Sequence, residues 1–201
     1  MVRITGPASP SGHAVNDVSW FPVSGDDDLD EFAREIWSKC EARIGFVPNV
    51  FRAYAWRGER FRRWLGYFND VTRASDTLDR AEREMIAVAV SMENGCLYCL
   101  VAHGNALREA LEDPVRGETI TLDWRRADLS DRHHKMLAYA VKVTTDPRHC
   151  SRADIDELVA TGFTLEDVWD IAEVAALYNA TNRMAMAAGF IPNSCYHHTA
   201  R

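Results

Sequence analysis

The chain has no apolar run long enough to cross a membrane, although 47% of its 201 residues are hydrophobic. A transmembrane helix needs about 20 consecutive and mostly apolar residues. The opening stretch, MVRITGPASPSGHAV, also lacks the apolar core of a secretory signal peptide. These two absences predict a protein that has no membrane partner and resides in the cytoplasm.

Basic residues are outnumbered, with 23 Lys and Arg against 30 Asp and Glu, which gives a net charge of -7. A protein that binds nucleic acid generally needs a basic surface to neutralise phosphates, so we expect no nucleic-acid partner. Cysteine is scarce as well. The five cysteines are an odd number with a single Cys-x-x-Cys pair, which is unlike the disulfide framework of a small secreted domain.

Strand signals are also missing, because the one β-like stretch, residues 120–122, is too short to build a sheet. Apolar residues instead recur at helical spacing along most of the chain. The predicted helices cover residues 26–43, 49–57, 58–72, 96–111, 131–144 and 165–188, with one more after Asp79 and a short one after Ser151. Residues 113–130 are polar and carry turn signals, so a connecting loop is predicted there.

Helices therefore account for well over half of the chain, and the predicted class is all-α. Residues 1–25 contain three prolines and three glycines and are predicted to form an extended N-terminal arm. Residues 26–201 have a length suited to a single helical domain.

The stretch from residue 84 to residue 103, EMIAVAVSMENGCLYCLVAH, places one carboxylate, two thiols and one imidazole close together in the chain. Glu84 borders an unbroken apolar run, and a buried carboxylate needs a partner. An Asn-Gly pair predicts a helix end just before Cys96, which would begin the next helix. On that helix Cys99 and His103 share a face, and Cys96 lies close enough to Cys99 for a disulfide.

These residue types are typical of redox chemistry at sulfur. The thiolate is the nucleophilic form of cysteine, and both a helix N-terminus and a nearby base favour it. A Cys-x-x-Cys pair in a reducing compartment predicts a redox pair, because an oxidised sulfur on one cysteine condenses with the other. His103 and Glu84 are the available proton-handling groups. This chemistry requires no cofactor and no metal.

The same motif resembles the alkylhydroperoxidase D-like branch of the carboxymuconolactone decarboxylase family. Residues 44–52, IGFVPNVFR, and the pattern Ala-x-x-Asn-x-x-Asn-Arg at residues 176–183 are similar to its subgroup of uncharacterised peroxidase-related proteins. The resemblance implies a compact multi-helix bundle and a thiol-dependent peroxidase of antioxidant type. It also implies a hydroperoxide substrate, a dithiol or disulfide-reductase electron donor, and assembly into dimers, trimers or hexamers.

The resemblance also implies roles for the motif residues. Cys99 would be oxidised to sulfenic acid, Cys96 would donate a proton and then close the disulfide, and His103 and Glu84 would relay protons. The best-known members carry a His immediately before the second cysteine, where this chain has Tyr98. A neutral phenol cannot act as a base near neutral pH, so we expect a weaker or differently routed relay.

The order of attack stays open at the level of sequence. The helix dipole favours the thiolate at Cys96, which lies nearer the predicted helix start. The resemblance and the four-residue spacing to His103 favour Cys99 instead.

Three other interpretations account for parts of the pattern. A structural zinc site would use Cys96, Cys99 and His103 with a fourth ligand such as His133, although only one Cys-x-x-Cys pair is present. A non-catalytic family member with a drifted motif would explain Tyr98. A carboxymuconolactone decarboxylase-like lyase is the third, but that branch does not rely on two thiols.

Several polar and aromatic residues near the C-terminus lie outside the motif. Tyr178 is predicted to pack within the last long helix, and Asn182 and Arg183 to form a buried hydrogen-bond network or a subunit contact. Cys195 and the two histidines at 197 and 198 have the composition of a metal cluster, but a disordered end is the preferred interpretation.

Overall fold

Nine α-helices and four short 3-10 turns make up the regular structure of residues 17–201, the part of the chain that the computed structural model describes. The described residues are 72% helical, and none of them lies in a strand. The prediction of an all-α fold is therefore confirmed. The helices are α1 (Glu31–Ile44), α2 (Asn49–Ala55), α3 (Glu59–Val71), α4 (Arg80–Asn94), α5 (Leu97–Leu111), α6 (Pro114–Asp123), α7 (Asp131–Thr145), α8 (Arg152–Ala160) and α9 (Leu165–Ala187).

Helix α4 begins and ends where its local signals predict. The Asp79 side chain accepts a hydrogen bond from the Glu82 N–H at 2.8 Å, and the Glu82 carboxylate accepts one from the Asp79 N–H at 3.0 Å. Both orphan donors of the first turn are thereby satisfied, as in a capping box. Gly95 ends the helix at a φ of 68°, a left-handed conformation that glycine adopts without strain. The chain therefore turns just before Cys96.

The first helix starts later than residue 26, where the sequence predicted it. Asp26–Asp28 form a 3-10 turn, and the helix begins at Glu31. Asp30 is the capping residue, because its side chain accepts a hydrogen bond from the Ala33 N–H at 2.7 Å. Acidic residues at a helix start were recognised correctly, but the cap decided which of them begins the helix.

The predicted loop over residues 113–130 is wrong, because α6 occupies most of it. Asp113 caps this helix by accepting a hydrogen bond from the Arg116 N–H at 3.0 Å. Pro114 stands at the first helical position, where its missing N–H group costs nothing. The proline ends α5 and also begins α6, and the buried side chain of Ile120 holds α6 to the core.

Helix α4 lies at the centre of the core, where it packs against α5, α6, α7 and α9. Every residue from 85 to 90 is apolar and buried, so the helix presents no polar face along this part of its length. An α-helix that is apolar all round is stable only when neighbours cover every side. The residue next to this stretch, Glu84, is therefore held at the edge of the core.

The described chain divides into two compact units. The described residues up to Arg62, together with Ala188–Ile191, form the first, in which Phe61 packs edge-on against Phe32 and Trp37. Arg63–Ala187 and Pro192–Arg201 form the second, which contains the whole motif. The predicted arm over residues 1–25 and the single domain over residues 26–201 stay predictions, and residues 1–16 lie outside the described range.

The C-terminal residues take a defined conformation, so the expectation of a disordered end is wrong. Residues 194–197 form a 3-10 turn in which Tyr196 is buried. The buried Arg108 guanidinium of α5 donates hydrogen bonds to the carbonyl oxygens of Tyr196, at 2.9 Å, and Ala200, at 3.2 Å. A buried guanidinium needs several acceptors, and the carbonyls of this segment supply them.

Within the described range, no helix combines the length and the apolar character needed to cross a bilayer.

Candidate active site

The two motif sulfurs are in contact at the start of α5. Cys96 is the residue that precedes the helix, Cys99 lies in its first turn, and the two Sγ atoms are 3.0 Å apart. Both side chains are thiols, and they are only 1% and 4% exposed. A disulfide bond is about 2.05 Å long, so a small movement would join the two sulfurs.

Cys96 is the more acidic of the two thiols, with its pKa lowered from 9.0 to about 7. The largest cause is a hydrogen bond that the Cys99 S–H donates to the Cys96 sulfur. The Cys96 side chain makes no helix-capping hydrogen bond. The backbone N–H groups of Cys99 and Tyr98 also stabilise the Cys96 thiolate, and so does positive charge on His103. These effects outweigh burial, which acts in the opposite direction.

Cys99 has a raised pKa for complementary reasons. Its proton is held by the hydrogen bond to Cys96, burial penalises its charged form, and a thiolate at Cys96 repels a second negative charge. The first negative charge of the pair therefore resides on Cys96. At the level of sequence this point is open between the helix dipole, which favours Cys96, and the resemblance, which favours Cys99.

His103 and Glu84 form a direct pair between α5 and α4. The imidazole Nδ1 lies 2.8 Å from the Glu84 Oε2, and each side chain is 17% exposed. The buried run of α4 fixes where the carboxylate lies, and the helical spacing from Cys99 fixes the imidazole. The structure thus brings all four predicted site residues, Glu84, Cys96, Cys99 and His103, to the contact between these two helices.

Tyr178 of α9 is a fifth side chain at this site. Its hydroxyl lies 3.4 Å from His103 Nδ1, and the two rings meet edge to face with their centroids 4.7 Å apart. Burial, followed by the charges of Glu84 and Cys99, raises the pKa of this tyrosine well above its ordinary value, so it is a neutral phenol. The sequence predicts only a packing role for Tyr178. The available signal was its position one turn before Asn182 in the same helix.

Asn182 and Ser91 reach Cys99 from the other side. Both are fully buried, both act to lower the pKa of Cys99, and the Asn182 Nδ2 donates to the Ser91 Oγ at 3.0 Å. The prediction of a buried network is therefore confirmed for Asn182. Arg183 lies at its exposed end, where its guanidinium donates to Asn179 Oδ1 at 2.8 Å. Ser91 was missed, because a serine in an otherwise apolar helix gives no sign of what it faces.

No three His, Cys, Asp or Glu side chains among residues 17–201 are arranged to hold a metal ion. His133, the fourth ligand of the zinc hypothesis, lies on α7, and its Nε2 faces Glu82 at 3.3 Å. Burial and then the charge of Arg132 lower the pKa of His133. The described residues give the zinc hypothesis no ligand set.

Comparison with known proteins places this architecture in a family. The model of the carboxymuconolactone decarboxylase family matches residues 59–120, a span that includes the entire motif. The crystal structure of an alkylhydroperoxidase AhpD core, an uncharacterized peroxidase-related protein from Ralstonia eutropha, is 36% identical over 92% of this chain and 97% of that chain, with a TM-score of 0.88. This chain belongs to the carboxymuconolactone decarboxylase family.

Other comparisons refine this membership. An uncharacterized peroxidase-related protein from a Silicibacter species is 37% identical, over 98% of this chain and 100% of that chain, with a TM-score of 0.88. Both structures support the alkylhydroperoxidase D-like branch that the motif indicated. The debrominase Bmp8, at 19% identity and a TM-score of 0.72 over 91% of this chain and 95% of that chain, shares the fold. Among curated proteins, no significant match was found.

Proposed function

We propose that this protein is a thiol-dependent peroxidase, or a related disulfide oxidoreductase, that works through the Cys96 and Cys99 pair. The observation that carries the proposal is the 3.0 Å contact between the two sulfurs, one of them acidified, beside a paired imidazole and carboxylate. At a pKa of about 7, a substantial fraction of Cys96 is thiolate at neutral pH. The peroxidase-related names of the two similar structures agree with this chemistry.

The first step is attack by the Cys96 thiolate on the terminal oxygen of a hydroperoxide. The S–O bond forms as the O–O bond breaks, so that the sulfur becomes a sulfenic acid and the alkoxide leaves. Protonated His103, held by Glu84, supplies the proton that converts the alkoxide to an alcohol. This assignment gives the attack to Cys96 rather than to Cys99, because the contact between the thiols puts the first negative charge on Cys96.

The second step closes the disulfide. The Cys99 sulfur attacks the sulfenic sulfur, the S–S bond forms as the S–O bond breaks, and the proton released by the Cys99 thiol combines with the leaving hydroxide to give water. A dithiol, or a disulfide reductase that carries one, then returns two electrons by thiol–disulfide exchange. The cycle needs no cofactor, and its dithiol state is maintained in a reducing compartment such as the cytoplasm.

Trapping of the sulfenic acid in single-cysteine variants tests this proposal. Peroxide should convert wild-type protein to a form lighter by two hydrogens in the peptide that spans both cysteines. In Cys99→Ser, a dimedone-type reagent should label Cys96, whereas Cys96→Ser should give little label. Cys195→Ser, which changes a thiol outside the site, is the matched control.

Two outcomes would contradict the proposal. Free thiols that persist under excess peroxide would exclude the redox pair. An adduct that forms only in Cys96→Ser, on Cys99, would restore the order of attack that the family resemblance implies.

A further inference from the structure

A chain of side-chain hydrogen bonds runs from the edge of α9 toward the buried sulfur of Cys99. The Asn94 Nδ2 donates to Asn179 Oδ1 at 3.0 Å and to Asn182 Oδ1 at 2.9 Å. The Asn182 Nδ2 donates to Ser91 Oγ at 3.0 Å. Ser91 lies beside the motif, because its carbonyl accepts a hydrogen bond from the Cys96 N–H at 3.0 Å. The side chains of Asn182 and Ser91 both act on the buried Cys99 thiol in the direction that favours its thiolate.

These hydrogen bonds have a single direction. An amide group donates through nitrogen and accepts through oxygen, so donation from Asn94 turns the Asn182 oxygen toward Asn94 and its nitrogen toward Ser91 and Cys99. Because Ser91 accepts from Asn182, its own hydroxyl hydrogen is available to Cys99. Asn182 and Ser91 are thereby both presented to the Cys99 sulfur as donors.

Asn179 fixes the orientation of the Asn94 amide, at the end of the hydrogen-bond chain that is distant from Cys99. Its Oδ1 accepts from Asn94 and from the Arg183 guanidinium, and its Nδ2 donates to the Thr144 hydroxyl at 3.0 Å. Reversal of any one amide would set two donors or two acceptors against each other. The orientation of the whole chain is therefore fixed by its neighbours.

Two donors aimed at one buried sulfur suit an anion better than a neutral thiol, because a thiol sulfur is only a weak acceptor. Asn182 and Ser91 are both 0% exposed, so water does not compete for these bonds. In the reduced resting state the negative charge lies on Cys96, and the donors are not needed at Cys99. They become useful when Cys99 itself is charged.

We propose that Asn182 and Ser91 form a stabilising site for the Cys99 thiolate, and that Asn94 is the residue that positions them. This inference rests on the proposed redox function. It concerns the steps that follow peroxide reduction, in which the disulfide closes and is reduced again. When the disulfide closes, the Cys99 thiolate donates its electron pair to the Cys96 sulfur and hydroxide leaves. When a reductant thiolate attacks the Cys96 sulfur, the S–S bond breaks and its electron pair returns to Cys99. Both steps pass through the thiolate that the two donors stabilise.

Titration of Cys99 in a Cys96→Ala protein tests the inference directly, because the partner thiol is then absent. The ultraviolet absorbance of the thiolate is followed against pH, relative to the protein that also carries Cys99→Ala. Ser91→Ala and Asn182→Leu should each raise the pKa of Cys99 by about one unit, a tenfold loss in ionisation, since each removes a hydrogen bond to a charged group.

Asn94→Leu keeps both donors but removes the hydrogen bonds that orient them. We expect Asn94→Leu to lower the ionisation constant of Cys99 about threefold, which raises its pKa. This variant also tests the inference if Asn182→Leu does not fold. Asn105→Leu, which removes another half-buried amide from α5, and Thr72→Val, which removes a hydroxyl from the end of α3, are matched controls and should leave the Cys99 titration unchanged.

An unchanged Cys99 titration in the folded Ser91→Ala and Asn94→Leu proteins would overturn the inference. Equal shifts in the two controls would also overturn it, since they would indicate a general loss of packing. The measurement uses no peroxide and no reductant. Failure of the peroxidase proposal therefore appears as absent turnover, and failure of this inference appears as an absent shift.

Discussion

His103 Nδ1 lies 2.8 Å from Glu84 Oε2, although the two residues are 19 positions apart and belong to different helices. An ionised carboxylate can only accept hydrogen bonds, so in this contact the imidazole Nδ1–H is the donor. The edge of the Tyr178 ring against the imidazole restricts its rotation further. The imidazole is therefore held in one orientation by partners on two other helices.

Loss of the Glu84 carboxylate should slow peroxide turnover without removing the nucleophile. General acid–base groups typically contribute about a hundredfold to ten-thousandfold in rate, so Glu84→Gln should fall in that range and remain above a protein without Cys96. Steady-state turnover with an alkyl hydroperoxide measures the effect. Glu109→Gln, which removes an exposed carboxylate of α5 paired with Arg80, should leave the rate unchanged. Equal rates for Glu84→Gln and wild type would show that this carboxylate takes no part in the reaction.

The acidity of Cys96 predicts how its reactivity depends on pH. With a pKa of about 7, the alkylation rate of Cys96 by iodoacetamide should level off above about pH 8 and fall about tenfold per pH unit well below 7. Cys150 is an internal control, because burial and then the charge of Asp154 raise its pKa, and its rate should still be rising at pH 9. Mass spectrometry of the two peptides gives both profiles in one experiment. Parallel profiles would contradict the assignment.

The same shift predicts a pH-dependent contribution to stability. The pKa of Cys96 is about 7 in the folded protein, against an ordinary value of 9.0, so the folded state releases this proton first. The stabilisation is then complete above about pH 9 and disappears as the pH falls through 7. In urea titrations of reduced protein, the advantage of wild type over Cys96→Ala should therefore shrink from pH 8.5 to about pH 6. An advantage that grows toward acid would reverse the sign and refute the shift.

Gly117 lies at a close contact between α6 and α5. A Cβ atom there would lie 2.8 Å from Arg108 Cγ, 2.9 Å from Arg108 Cα and 3.0 Å from its backbone nitrogen. Backbone atoms cannot move aside cheaply, so Gly117→Ala should lower the free energy of unfolding by about 1–3 kcal/mol. Gly66→Ala in α3 is the matched control, because its Cβ would meet nothing within 4 Å. The control should be neutral or gain about 0.5–1 kcal/mol in helix propensity. Urea denaturation distinguishes the two variants. Equal stabilities would show that α6 shifts to accommodate the added methyl group.

Assembly into a homo-oligomer is expected from the apolar surface of α9. Its first two turns expose Leu165 and Trp169, the latter at 72%, and such residues on a monomer often mark a contact surface. Light scattering at micromolar concentration should give a multiple of the 22.7 kDa chain mass. Trp169→Glu should reduce that mass, whereas Leu122→Glu, an equally exposed site on α6, should not. A monomeric mass for wild type would refute the expectation.

Local sequence signals were sufficient for most of the helices. The capping box at Asp79, the glycine at 95 and the helical spacing of Cys99 and His103 involve neighbours a few residues apart, and their geometry follows from the backbone alone. Local signals failed where one residue served two helices. Pro114 was taken only as the end of α5, because the burial of Ile120 that retains α6 depends on a surface elsewhere in the chain.

The sequence by itself determined the all-α class and the four motif residues, since these depend on periodicity and spacing, and the family followed from the resemblance of its motifs to known members. Only the tertiary structure decided that Tyr178 contacts His103 and that Asn182 contacts Ser91, because that depends on how α9 and α4 are rotated about their axes where they pack. It also decided that Cys96 carries the first charge. The acidity of a thiol is set by the donors and the burial around the sulfur, and those come from residues distant in the chain.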